Sequence, residues 1–149
     1  MDKNTQISPS VSKNELFKMS VELERFLNVL GEDLDHVILN EDDPNGLFIR
    51  EQINSMAFQL EDILSDANYL KRKITDEGNL YVNSAGRYEI NEYCYLTSGN
   101  VCELLIKDRD GVSCWLKTSI EHGGEHGYYA VKLGRDISID GIRARVRRG

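Results

Sequence analysis

The sequence predicts an α+β fold, with an acidic N-terminal helical hairpin followed by a small, SH3-like, strongly bent β-barrel. Two changes near residue 68 carry this prediction. Apolar residues recur every three or four positions before it and every second position after it. Up to residue 68 there are 5 Lys or Arg and 14 Asp or Glu, a net charge of −9; from residue 69 there are 13 and 11, a net charge of +2. The predicted parts are a disordered tail (1–11), the hairpin (12–68) and the barrel (69–149).

Composition places the chain among soluble globular proteins. Charged residues make up 29% and hydrophobic residues 40% of its 149 residues. No apolar run approaches the length of a membrane span, and the first residues lack the apolar segment of a secretion signal. Three cysteines cannot all pair within one chain, so we expect reduced thiols in a cytoplasmic protein with no membrane contact and no cofactor.

The first predicted helix starts at Ser12, because Ser12 and Glu15 have the spacing of a capping box. Gly31 provides its C-terminal stop. The apolar positions between them step by three and four, as on one face of a helix: Leu16, Met19, Leu23, Phe26 and Leu30.

The second predicted helix starts at Pro44 with Asp43 as its cap. Its apolar positions repeat the same spacing: Ile49, Ile53, Met56, Leu60 and Ile63. Neither helix can bury its apolar stripe alone, so the two stripes predict an antiparallel hairpin. Dimerisation through this hairpin is a further expectation.

Short alternating segments separated by turns predict five or six strands after residue 79. They are segments 80–82 and 87–90 around a turn at Gly86, then 101–106, 112–121, 128–133 and 142–147. Such strands favour a bent sheet that closes toward a barrel. Tyrosines at 81, 88, 93, 95, 128 and 129 could line a groove for a proline-rich peptide, or lie half-buried on strands.

The last strand alternates basic and apolar residues. Arg143, Arg145 and Arg147 face one side, while the residues between them face the other. The arginines would protect an edge strand or pair with the acidic hairpin. The alternative is a nucleic-acid-binding face, with Trp115 stacking on a base and the three arginines contacting phosphates.

Six carboxylates lie close together in sequence at the turn of the hairpin: Glu32, Asp33, Asp35, Glu41, Asp42 and Asp43. They are either solvated surface charge or a negative surface that occupies a basic groove built for phosphates. Their spacing lacks the glycine and alternation of a calcium-binding loop.

His122 and His126 are the one local pair of acid/base residues in the sequence. Two imidazoles could serve as general acid and base in RNA cleavage, and Cys114 with the two histidines could supply three zinc ligands. The glycines around them predict a mobile hairpin tip instead, so we expect neither catalysis nor a metal site.

The last 80 or so residues resemble an uncharacterised domain family found on mobile genetic elements of Gram-positive bacteria. The resemblance rests on residues 68–70, 78–81, 86–89, 96–99, 115, 120–122 and 141–147. It implies an accessory protein of a mobile element and no catalytic residues. Such elements encode anti-CRISPR inhibitors of Cas9-type nucleases, which hold nucleic acid in positively charged channels.

Two hypotheses follow. In the first, the protein is not an enzyme, and its acidic hairpin binds and inhibits a host protein or ribonucleoprotein such as a Cas9-type nuclease. In the second, the β-barrel binds nucleic acid directly as a regulator or nuclease accessory.

Overall fold

The computed structural model describes residues 5–149 and has the mixed α+β fold that the sequence predicts. Two α-helices precede eight strands, and the chain divides into two compact units between Lys71 and Arg72. We call these the helical unit and the β unit. Residues 1–4 of the predicted tail lie outside the described residues.

Helix α1 (Pro9–Leu30) begins earlier than the sequence predicts. The Ser8 side chain caps it by accepting the Val11 N–H at 3.1 Å, and Pro9 occupies the first helical position, where a missing N–H is tolerated. Residues 9–11 of the predicted tail are therefore helical, and the predicted cap at Ser12 is wrong. Ser12 lies inside the helix and donates to the Ser8 carbonyl at 3.0 Å.

The two helices end and start where the sequence predicts. Gly31 ends α1 with a φ of 80°, a conformation that favours glycine. A single 3-10 turn (Glu32–Leu34) follows, and helix α2 (Pro44–Lys71) begins after Asp43. Asp43 Oδ1 accepts the Gly46 N–H at 3.1 Å, which confirms its capping role.

Contacts along the two helices show that they are antiparallel. Close to the connection, Leu30 and Ala57 share a buried cluster. Far from it, Lys71 Nζ donates to Ser20 Oγ at 2.7 Å. The predicted hairpin is therefore present, but its apolar stripes are wrong at five positions that are exposed: Met19 and Phe26 on α1, and Ile49, Met56 and Ile63 on α2.

The β unit has two strands more than the sequence predicts, β1 and β4. The strands are β1 (Lys73–Asn79), β2 (Tyr81–Val82), β3 (Tyr88–Asn91), β4 (Cys94–Leu96), β5 (Val101–Lys107), β6 (Ser113–His122), β7 (Tyr128–Ala130) and β8 (Arg143–Arg148). They form one sheet in the order β1-β8-β5-β6-β7 and a second in the order β2-β3-β4, with antiparallel neighbours throughout.

These two sheets do not close into a barrel, so the predicted closure is wrong, and the likeness to SH3 domains stays a prediction. The sheets meet where β1 passes β3. A Cβ at Gly78 would lie 2.6 Å from the Ile90 carbonyl oxygen, so only glycine allows this approach. Beside it, Asn91 Nδ2 donates to Asp76 Oδ1 at 2.9 Å.

Buried side chains from both sheets form one core. Its members are Leu80, Tyr88, Ile90, Cys94, Leu96, Cys102, Leu104, Ile120, Ala130, Ile139, Ala144 and Val146. Cys114 is exposed, and all three cysteines are free thiols. Burial raises the pKa of the Cys102 thiol to about 12.

Strand β8 lies between β1 and β5, inside the five-stranded sheet. The interpretation of its arginines as edge protection is therefore wrong, because this strand is not an edge. The predicted alternation is confirmed, since Ala144 and Val146 are buried in the core. Within residues 5–149, neither helix has a stretch long and apolar enough to cross a membrane.

Candidate functional site

Four charged residues form a row across the outer face of the five-stranded sheet. The strand register pairs Glu77 with Arg145, Arg145 with Glu103, and Glu103 with Lys117. Partners in a register project from the same face of a sheet, so the row alternates in sign over four strands. We call this surface the arginine face; it also carries Arg143, Arg147 and Trp115.

Glu103 is the centre of the arginine face. Arg145 donates to its Oε1 from Nε at 3.0 Å and from Nη2 at 2.7 Å, and Arg147 donates to its Oε2 from Nε at 2.7 Å. The side chain of Glu103 is 8% exposed, and those of Arg145 and Arg147 are 17% and 16% exposed. One buried carboxylate therefore neutralises part of the charge of two arginines.

The other members of the arginine face are also engaged. The Arg145 guanidinium lies 4.0 Å from the centre of the half-buried Trp115 ring, a cation–π contact. Arg143 Nη2 donates to Glu77 Oε2 at 2.8 Å. Arg143, with about half of its side chain exposed, is the most accessible of the three predicted phosphate contacts.

The six predicted carboxylates lie in the segment that joins the helices, residues 32–43, which we call the acidic connector. All six are exposed. Asp43 is committed to capping α2, and Asp35 lies 3.7 Å from His36 Nε2. The remaining four, Glu32, Asp33, Glu41 and Asp42, form no ion pair within residues 5–149.

Backbone geometry and a cavity distinguish the start of the acidic connector. Asp33 and Leu34 have φ angles of 51° and 60°, and Leu34 is buried under the helices. Such angles are uncommon outside glycine. A cavity of about 270 Å³ opens here, lined by Glu32, Asp33 and, from α2, Glu61. The sequence did not indicate Glu61, since it lies 18 positions beyond Asp43 on a helix.

The histidine loop is a surface turn. His122 packs edge-on against Tyr128 with ring centres 4.8 Å apart, and its Nδ1 accepts the Gly124 N–H at 3.3 Å. His126 is exposed on a 3-10 turn. No group of three or more His, Cys, Asp or Glu side chains that could hold a metal occurs among residues 5–149.

The predicted tyrosine groove is not a single surface. Tyr88 is buried in the core, while Tyr81, Glu89 and Tyr95 form a row across the outer face of the three-stranded sheet. Tyr81 Oη donates to Glu89 Oε2 at 2.6 Å, a bond that lowers the pKa of the Glu89 carboxyl. Arg87 lies over the Tyr95 ring at 5.3 Å.

A hydrogen bond with Thr97 and then one from Arg87 lower the pKa of the neighbouring Tyr128. Arg87 therefore contacts two tyrosines of the β unit, Tyr95 and Tyr128.

Two residues that hold these surfaces together were missed by sequence reasoning. Glu103 had a signal, because it is the one carboxylate within the apolar segment 101–106, and the arginines alternate three strands later in the chain. Glu89 had only a partial signal: the hairpin of segments 80–82 and 87–90 was predicted, but strand β4, which carries Tyr95, is too short to give a pattern.

Comparison with known proteins identifies one domain in the chain. Residues 78–146 match the family described as "Domain of unknown function (DUF5348)". The match begins within β1 and ends within β8, so it covers most of the β unit and excludes the helical unit. None of the curated proteins and none of the solved structures compared with the chain matches it.

Proposed function

We propose that the protein is a non-enzymatic binding protein whose acidic connector engages a basic surface of another protein or ribonucleoprotein. The observation that carries this proposal is the exposure of four carboxylates in the acidic connector. Glu32, Asp33, Glu41 and Asp42 are exposed and form no ion pair among the described residues. Charges in this state retain their field, which steers a basic partner toward them.

The arginine face supports this choice by contrast. Arg145 and Arg147 are largely buried and share Glu103, so contacts to a phosphate would require them to give up their hydrogen bonds to this buried carboxylate. Arginines that bind phosphate need free donors. The free charge of the described chain is therefore mainly acidic, as its net charge of −7 also indicates.

The most specific form of the proposal is an anti-CRISPR protein that inhibits a Cas9-type nuclease in the cytoplasm. It combines the acidic connector with the resemblance of the C-terminal part to proteins of mobile elements. A Cas9-type nuclease holds its guide and target in a positively charged channel, which is the kind of groove that carboxylates occupy.

The test compares two charge-reversed proteins in a DNA-cleavage assay with purified Cas9-type nucleases, with and without guide RNA. One carries Glu32→Lys, Glu41→Lys and Asp42→Lys in the acidic connector. Asp33 is left unchanged, because its positive φ tolerates aspartate better than lysine. The matched control carries Glu24→Lys, Glu51→Lys and Asp62→Lys, three exposed positions on the helices with the same change in net charge.

We expect the native and control proteins to inhibit, with an association rate that falls as salt rises, and the connector variant to lose inhibition. Equal inhibition by both variants would exclude the acidic connector as the binding site. No inhibition of any nuclease by the native protein would exclude the anti-CRISPR form, and capture of a different basic protein would redirect the proposal to that partner.

Direct nucleic-acid binding is the alternative proposal, and the exposed half of Arg143 is the observation in its favour. Arg143→Ala tests it without disturbing Glu103. If Arg143, Arg145, Arg147 and Trp115 form a nucleic-acid surface, this change lowers the salt dependence of RNA or DNA binding by about one counterion. Lack of binding to either nucleic acid at low salt would remove the alternative.

A further inference from the structure

The seam between the two helices follows a seven-residue repeat. Its positions step by three and four along each helix. On α1 they are Leu16, Ser20, Leu23, Leu27 and Leu30; on α2 they are Arg50, Ile53, Ala57, Leu60, Leu64, Ala67 and Lys71, all of them buried or half-buried except Lys71. This is the pattern of a coiled-coil seam, in which two positions of each seven-residue repeat pack against one partner helix.

A second apolar row runs beside the seam and is uncovered. Each of its members immediately precedes a seam residue, and each is between 39% and 56% exposed. The members, which we call the apolar row, are Met19 and Phe26 on α1 and Ile49, Met56, Ile63 and Leu70 on α2. The four on α2 recur every seven residues over about 32 Å of helix, as in a coiled coil.

Both parts of the apolar row lie on the same side of the hairpin. In an antiparallel pair, the two helices are related by a two-fold axis perpendicular to the helix axes. The residues that precede seam positions therefore lie on the same side of the pair in both helices. The cavities confirm the sides. One of about 460 Å³ joins Val29 and Leu30 to Ile49, and the other, of about 270 Å³, joins Gly31 to Asn54 and Glu61.

The opposite side of the seam is mostly polar. The residues that follow seam positions there include Glu24 on α1 and Asn54, Glu61 and Asn68 on α2. A helix with apolar residues at the seam and on one flank is patterned for a bundle of more than two helices. The hairpin therefore has one completed interface and one unfilled interface.

We infer that the apolar row docks against the apolar row of a second copy of the chain, giving an antiparallel four-helix bundle. A two-fold axis brings the same face of each copy together. The apolar row of the second copy therefore has the same length and the same seven-residue spacing as that of the first. Two hairpins supply the four helices of a stable bundle. This inference goes beyond the proposed function and rests on different residues.

The charges that border the apolar row allow a second copy to approach. On α1 the border residues are Glu15 and Glu22, and each is paired with a basic residue on its own helix at 3.0 Å, Lys18 and Arg25. On α2 the border positions at the same seven-residue spacing are the uncharged Gln52 and Gln59 and then Asp66, which has an interaction partner. Although the helical part is strongly acidic, its net negative charge is therefore not concentrated along this border.

The same border argues against a membrane surface. Helices that lie on membranes carry many Lys and Arg residues beside their apolar face. Here the border carries no excess of basic residues, and the net charge of the helical unit is acidic. A bundle with a second hairpin covers the apolar row without requiring basic residues.

Sedimentation velocity of the full chain at micromolar concentration tests the inference. The native protein is expected to sediment as a dimer, with twice the 17.0 kDa mass of the chain. Met56→Glu and Ile63→Glu, each tested alone, place a charge in the apolar row, and both are expected to give monomers. Phe58→Glu is the matched control, since Phe58 is also exposed but lines the cavity on the opposite side; it should stay dimeric.

Circular dichroism checks that each variant keeps its helices. If a glutamate variant loses helical signal, Met56→Ala replaces it, because alanine favours helix, and should weaken dimerisation at least about tenfold. A native monomer overturns the inference, including one that binds phosphatidylcholine vesicles instead. A dimer that survives Met56→Glu and Ile63→Glu, or is lost equally in Phe58→Glu, also overturns it. A monomeric native protein would leave the acidic-connector proposal intact.

Discussion

The two units of the molecule differ in how completely they bury their apolar side chains. In the β unit, twelve buried residues from both sheets form one cluster, with four more packed against it. In the helical unit the corresponding cluster has three buried residues, Leu30, Leu34 and Ala57. The apolar row remains outside that cluster although its residues are as hydrophobic as those inside.

The difference follows from geometry. Two sheets enclose a volume between them, and every second side chain of each strand points into it. Two helices share only one line of contact, so half of each apolar stripe remains uncovered. An apolar stripe in a sequence therefore predicts that a face needs a partner but not whether the chain itself provides one. Experiments that break each unit separately test this comparison.

Removing Glu103 should have the largest effect, because it leaves two largely buried arginines without their carboxylate. We expect Glu103→Ala to destabilise the β unit by about 3–5 kcal/mol. Trp115 is the single tryptophan and lies in this unit, so its fluorescence during urea unfolding reports on the β unit. Glu77→Ala removes the exposed pair with Arg143 and should cost only about 0–1 kcal/mol. Similar losses in both variants would mean that burial of Glu103 does not matter.

A second comparison substitutes one apolar residue in each unit. Leu104 is fully buried, and Leu104→Ala should destabilise the β unit by about 2–5 kcal/mol. Met56 is about half exposed, and Met56→Ala should change the stability of the dilute monomer by no more than about 0.5 kcal/mol. Trp115 fluorescence follows unfolding of the β unit in Leu104→Ala, and helical circular dichroism follows unfolding of the helical unit in Met56→Ala. A large cost for Met56→Ala in the monomer would show that the apolar row is already covered.

Sequence patterns predicted the features that depend on neighbouring residues. Gly31 and Asp43 were placed correctly at the helix ends, because caps depend on one or two local hydrogen bonds. The alternation of β8 was also readable, since its period of two is fixed by strand geometry. Ser8 and Pro9 carry the same kind of local signal for the start of α1, as a side-chain cap followed by a proline at the first helical position.

Features that depend on distant pairing were not predictable in the same way. Strand β1 contains Lys73, Asp76 and Glu77 and shows no apolar alternation. It is a strand because it pairs with β8, and its own composition does not indicate this. The placement of β8 inside the sheet depends on that same pairing. Leu16 and Met19 lie about one helical turn apart, and both fit the apolar spacing of α1. Only the register of α1 against α2 decides which of them faces the seam.

The cap of α2 provides a smaller test within the helical unit. Asp43→Ala removes the side-chain acceptor for the Gly46 N–H and should cost about 1 kcal/mol of helix stability. Asp42→Ala is the control, since it makes the same charge change one residue earlier and leaves the cap in place. Thermal melts followed by circular dichroism measure both. Equal melting temperatures for the two variants would contradict the capping role.

The smallest expected effect is the pH dependence contributed by Asp76, where the two sheets meet. Hydrogen bonds from Asn91 and then Thr75 lower the pKa of this carboxyl. A carboxyl with a lowered pKa stabilises the folded state above its unfolded pKa, about 3.9, and that contribution is lost as pH falls through the folded value. Asn91→Ala should therefore flatten the loss of β-unit stability below about pH 4. Asn79→Ala, on the same strand as Asp76, is the control and should keep the native pH dependence. Urea unfolding followed by Trp115 fluorescence between neutral and acid pH measures both variants, and an unchanged slope in Asn91→Ala would show that this bond does not link the sheets to proton binding.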